Sequence, residues 1–192
     1  MKGSYHSRAY HRFFEDYEEV VEPGKNGKGK HIRRIYTGFY YMPQMTNKRL
    51  AVQKVLYVFL YLLGFALFLT SAAAPVAGNS MWYTAVFIAI VFLVLLALLR
   101  SLIHYTAAKK RMTVGEYKES SVALQKNALG AAVCLAAMAL VKAVFALFVS
   151  PEISALELAT AGGFLLAAGT VFLLRWLESR VSYTRERDST PD

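Results

Sequence analysis

The sequence predicts an all-α integral membrane protein. Four transmembrane helices form two helical hairpins, preceded by a small cytoplasmic N-terminal segment that contains a β-hairpin. Three observations lead there. First, four apolar runs each approach or exceed about 18 residues, long enough to cross a bilayer as helices. Second, charge avoids those runs: Val55 to Ala74 and Met81 to Leu99 carry none, Ala128 to Val149 carries only Lys142, and Ile153 to Leu174 carries only Glu157. Third, the cations are distributed to one side. Ten of the 22 Lys and Arg residues lie in 1–50, six lie between the second and third runs, and four lie in or beside the C-terminal tail. Lys54 and Lys142 complete the set, and the turns after the first and third runs hold none.

By the positive-inside rule this distribution keeps both termini and the central loop in the cytoplasm, with the turns Ser71 to Ser80 and Ser150 to Glu152 outside. The expected location is the cell membrane of a bacterium. Three regions follow. Residues 1–50 are a cytoplasmic head. Residues 51–176 are the transmembrane domain, with spans near 52–74, 81–103, 128–149 and 151–176 and a cytoplasmic loop at 104–127. Residues 177–192 are a disordered cytoplasmic tail. The polar, acid-containing start argues against a secretory signal.

In the head, Met1 to Phe14 gives only a weak helix signal. His6 and His11 are five apart, so they do not share a helix face. Gly24-x-x-x-x-Gly29-Lys30 matches seven positions of a phosphate-binding loop, but His31 stands where Ser or Thr should hold magnesium. The charged stretch Tyr17 to Glu22 before it is no buried strand, and Ile32 to Thr37 after it is β-prone. Two extended runs around Pro, Asn and Gly read as a hairpin. Five acids on the incoming arm, Glu15, Asp16, Glu18, Glu19 and Glu22, then face five bases, Lys25, Lys28, Lys30, Arg33 and Arg34. Bases already balanced within the chain argue against a nucleic-acid partner.

Phe39-Tyr-Tyr-Met-Pro43 precedes the first span, where aromatic rings sit at headgroup level; a partner surface is the alternative. Lys48, Arg49 and Lys54 anchor the inner end of that span. Trp82 to Arg100 is about 27 Å of helix, close to one hydrocarbon core. Thr113-Val-Gly-Glu116 resembles a capping box opening a short surface helix. Spans one and two are bulky, while spans three and four are rich in small residues. Ala155, Ala159, Gly163 and Ala167 recur every four residues in span four. Such stripes allow close packing in lipid, here against span three. The alternative is an interface with a second copy or a partner. Ser150-Pro151 reads as a helix start, with Glu152 in its first turn.

Lys142 and Glu157 each lie about 10 Å below the outer turn. Intramembrane charges pair, snorkel or line a polar path, so the two form a candidate intramembrane ion pair. Cys134 stands alone, which excludes an intrachain disulfide. No catalytic, metal or cofactor constellation is evident. The sequence therefore supports a non-enzymatic multi-pass protein, an accessory or assembly subunit in contact with lipid and with a cytoplasmic or membrane protein. The alternative is one component of an oligomeric small-solute or ion transporter or channel, built from copies of the chain.

Overall fold

A long apolar segment satisfies its own backbone only as a helix when no water is at hand, and the described parts of the four apolar runs are helical except at the end residues Ala74 and Met81. The computed structural model describes residues 17–23, 30–148 and 155–187, with the backbone course alone for 18–35. Met1 to Phe14 with His6 and His11, the glycine-lysine loop at 24–29 and the Ser150-Pro151-Glu152 turn lie outside the described residues.

The helices are α1 (Asn47–Ala73), α2 (Trp82–Ala107), α3 (Val114–Phe148) and α4 (Ala155–Ser179). By length and composition each is able to cross a membrane, with mean hydropathy from 1.7 to 2.9. Two boundaries differ from expectation. The connection expected at 104–127 shrinks to 108–113, because α2 continues to Ala107 and helix resumes at Val114. The capping box is real: the Thr113 side chain accepts from the Glu116 amide, and the Glu116 side chain accepts from the Thr113 amide. It opens no separate helix, however. A π turn, Lys118–Val122, joins it directly to the rest of α3. Ser120 and Ser121 in that turn are both buried.

Around the bundle, α3 packs most extensively on α4, α4 on α1, and α2 on α3; α1 and α2 touch lightly. The first two spans are therefore neighbours in sequence more than in packing. Glycine explains the α1–α4 approach. A Cβ on Gly163 would lie 2.0 Å from the Ser71 Oγ, and one on Gly64 would lie 2.6 Å from the Thr170 Oγ1. The small stripe thus serves α1 rather than α3 at its middle, while Ala155 and Ala159 are exposed and Ala167 is buried. The reason is geometric: four residues advance a helix by about 400°, so a four-residue repeat drifts about 40° per step around the axis. Tyr57, Phe68, Leu95, Leu98, Leu135, Phe164 and Leu174 fill the centre.

The strands are β1 (Tyr17–Pro23), β2 (Lys30–Tyr36), β3 (Phe39–Pro43), β4 (Met112–Thr113) and β5 (Tyr183–Arg187). β1 and β2 form the expected antiparallel hairpin. Its register sets Glu19 opposite Arg34 and Glu22 opposite His31, but Glu18 opposite Ile35 and Val20 opposite Arg33. Acid thus faces base directly at fewer positions than the sequence suggested. A second sheet has the order β4-β3-β5. Here the structure corrects the reading of 177–192 as a disordered tail. Residues 183–187 pair antiparallel with β3 from Phe39↔Arg187 to Pro43↔Tyr183. Tyr183 and Thr184 are half-buried against the bundle end while Arg185 to Arg187 are exposed, so the ladder with β3 is what orders this charged segment. The Phe39–Pro43 aromatics accordingly form the middle of a sheet, stacked against other parts of the chain.

Candidate functional site

Among the described residues, a fully buried carboxyl with several hydrogen-bond donors lies where α4 ends and β5 begins. Glu178 occupies the buried stripe Phe164, Ala167, Val171, Leu174 of α4 one turn further on, and it is 0% exposed. Each neighbouring element sends it a donor. Ser121, from the π turn of α3, donates its hydroxyl at 2.5 Å, and Tyr183 of β5 donates at 2.6 Å to the same oxygen, Oε1. Tyr57 of α1 donates at 3.1 Å to Oε2, and Gln53, one turn earlier on α1, donates from Nε2 at 3.3 Å. Gln53 also donates to the Tyr57 hydroxyl. The Tyr105 ring of α2 packs 5.4 Å from that of Tyr57, with its hydroxyl buried and unpartnered among the described residues.

A buried carboxyl is tolerated only when its oxygens are satisfied. Four donors from two helices, α1 and α3, and a strand do that here, so Glu178 holds the sheet to the bundle. Burial, and then the charge of Glu178 beside it, raise the pKa of the Tyr183 phenol. Tyr117 extends the aromatic join. It stacks on Tyr41 of β3 at 4.3 Å, nearly parallel, and meets Tyr183 edge-on at 4.9 Å. Arg111 lies over the Tyr40 ring at 3.8 Å and Arg185 over the Phe39 ring at 3.6 Å. Such contacts each contribute on the order of 1 kcal/mol. Lys54, expected only to anchor span one, caps α2. Its Nζ donates to the carbonyls of Thr106 and Ala108 at 2.9 and 2.6 Å, groups the helix end leaves free.

The opposite end carries the two charges singled out in the sequence. Lys142 is 2% exposed and Glu157 is 4% exposed. Both converge on the short turn Ala77–Asn79. Glu157 Oε1 accepts from the Gly78 amide at 3.2 Å, and Lys142 Nζ lies 3.2 Å from where a Gly78 Cβ would be. The direct bridge of the sequence reading is absent: among the described residues Lys142 Nζ and Glu157 Oε2 have no hydrogen-bond partner. Asn79 closes the end of α1 beside them, donating to the carbonyls of Ser71, Ala72 and Ala74.

Among the described residues no group of three His, Cys, Asp or Glu side chains is placed to hold a metal ion. The sequence reading missed Glu178, although the 3.6-residue period of α4 puts an acid on its apolar face and signals a buried carboxyl. Comparison of the chain with protein-family models, with curated proteins and with solved structures finds no match.

Proposed function

We propose that the chain is a non-enzymatic multi-pass protein of the cell membrane, with both termini and the sheets in the cytoplasm. It serves as an accessory or assembly subunit that holds a protein partner through its β1–β2 hairpin. One observation carries this reading. The strands divide into a sheet built into the bundle end and a hairpin whose strands pair only with each other among the described residues. The hairpin base is fastened: the Tyr36 hydroxyl donates to the Phe39 carbonyl at 2.8 Å and accepts from the Val114 amide at 3.1 Å. A fixed base with unpaired strand edges suits the addition of a partner's strand.

The test is a photo-crosslinking residue at Val20 or Arg33 in the full-length membrane-embedded protein. The reading expects one dominant crosslinked partner, lost when residues 17–36 are deleted while membrane insertion is retained. A protein that purifies as a lone monomer in gentle detergent and gives no crosslink refutes it.

The unpartnered Lys142 and Glu157 atoms favour a second reading, a component of an oligomeric transporter. The variant Lys142→Met with Glu157→Leu separates the two. An accessory subunit keeps its insertion and its crosslink; a transporter component inserts normally but loses ion flux in proteoliposomes.

A further inference from the structure

At the sheet end, α1 and α4 part around a groove of about 480 Å³. Its lining is of two kinds. Val52, Leu56 and Trp176 form an apolar wall, and all three are exposed on the outer face of the bundle. Arg49, Arg180 and Gln53 form the polar part. None of the lining side chains is acidic.

The two arginines are prepared for an anion. The Arg180 guanidinium lies over the Trp176 ring at 4.3 Å, a contact with the face of the ring that uses none of its N–H donors. Arg49 sits in the first turn of α1, where the helix dipole adds positive potential and no acidic side chain offsets it. Leu56 lies about 10 Å further along α1, so the apolar wall runs on into the span. A free phosphate would use the arginines and none of that wall. A charged peptide would have to place its backbone at span depth, where unpaired amides are costly.

We propose that this groove holds an anionic phospholipid, with its phosphate between Arg49 and Arg180 and an acyl chain along Val52 and Leu56. The inference rests on the cytoplasmic placement of this end proposed above, since the cytoplasmic leaflet is the anionic one.

The experiment is native mass spectrometry of the full-length protein in mild detergent, titrated with phosphatidylglycerol or with phosphatidylcholine of the same chains. Phosphatidylglycerol is expected to be retained preferentially. Arg49→Gln with Arg180→Gln should weaken its binding roughly 30-fold, the size expected for two cationic contacts at a membrane surface. Lys110→Gln with Lys126→Gln, cationic positions outside the groove, should leave it within about twofold. Equal retention of the two lipids by the unaltered protein overturns the proposal without recourse to any variant. So does undiminished phosphatidylglycerol binding by the double arginine variant, or inorganic phosphate binding as tightly as the lipid. The orientation is tested separately, with an impermeant thiol reagent on Ser182→Cys in a Cys134→Ser background. Labelling in intact cells refutes the cytoplasmic placement, while the detergent titrations judge the groove itself.

Discussion

Glu178 shows how a single side chain decides the assembly of one end of the molecule. Its two oxygens take four hydrogen bonds from Ser121, Tyr183, Tyr57 and Gln53. Glu178→Ala takes the acceptor from the Ser121, Tyr183 and Tyr57 hydroxyls, and each donor left unsatisfied costs about 1–3 kcal/mol. Glu178→Gln keeps one acceptor oxygen and is expected to cost less. Thermal unfolding in detergent checks both, and an alanine variant as stable as the parent removes Glu178 from its role. Tyr183 adds a pH dependence. Its raised pKa means that the folded chain keeps the phenolic proton to higher pH than the unfolded chain, which releases it near pH 10. Above that pH the folded state binds more protons, so this contribution to stability falls as pH rises, and Tyr183→Phe should flatten the loss between about pH 9 and 11. At the other end, Glu157→Leu frees the Gly78 amide and takes the carboxylate away from the turn that buried Lys142 also lines. Adding Lys142→Met is expected to restore about 0.5–3 kcal/mol, read as the interaction energy of a double-mutant cycle. If the double variant is the less stable, the two residues are not coupled.

Elements were legible in proportion to how local their causes are. The four long apolar helices follow from runs of side chains that need no partner to declare themselves. The hairpin follows from Pro, Asn and Gly between two β-prone arms. The capping box at Thr113 was legible too, because Glu116 is three residues away. Its continuation through Lys118–Val122 was not, since a π turn leaves a ragged apolar pattern that resembles a helix end. Of the stripe Ala155, Ala159, Gly163, Ala167, the first two are exposed and only the inner part is closely approached, and spacing alone does not name the helix that approaches. That neighbour is α1, and Gly163 is the point of closest fit. Gly163→Ala should be tolerated. The Ser71 Oγ can rotate away, and the Ser71 Cβ lies 3.4 Å from the added methyl, an ordinary contact. Gly163→Leu has no such escape, and should cost about 1–3 kcal/mol as an overpacked interface. Melting temperatures of the two variants decide it, and a leucine variant as stable as the parent shows that α1 does not lie where the glycine puts it.

At the scale of the whole molecule, the sheet β4-β3-β5 joins three segments that the spans keep far apart in sequence: 39–43, 112–113 and 183–187. Pairing between segments about 70 and about 140 residues apart leaves no periodic trace in any one of them, so the charged stretch Tyr-Thr-Arg-Glu-Arg read as tail. The same arrangement makes the tail a structural part of the head. Chain termination after Ser182 removes the whole of β5, its ladder with β3 and the Tyr183 bond to Glu178, while the Gln44 amide keeps its bond to the Ser182 carbonyl at 2.9 Å. The four helices bury their own core without β5, so helical content and membrane insertion should persist. The loss falls on the sheet end. Several backbone hydrogen bonds at about 0.5–1.5 kcal/mol each, with the Tyr183 contacts, amount to roughly 2–5 kcal/mol. With β3 open on one side, the short β4 partner is held by only two residue pairs, Tyr40↔Thr113 and Tyr41↔Met112. The cluster Lys109, Lys110 and Arg111 just before it should then become a preferred trypsin site. Limited proteolysis of the two proteins in detergent measures this directly. Faster cleavage at 109–111 in the shortened chain, though those residues lie over 70 positions from the truncation, is the expected result; equal rates would mean that β5 rests on the sheet without holding it.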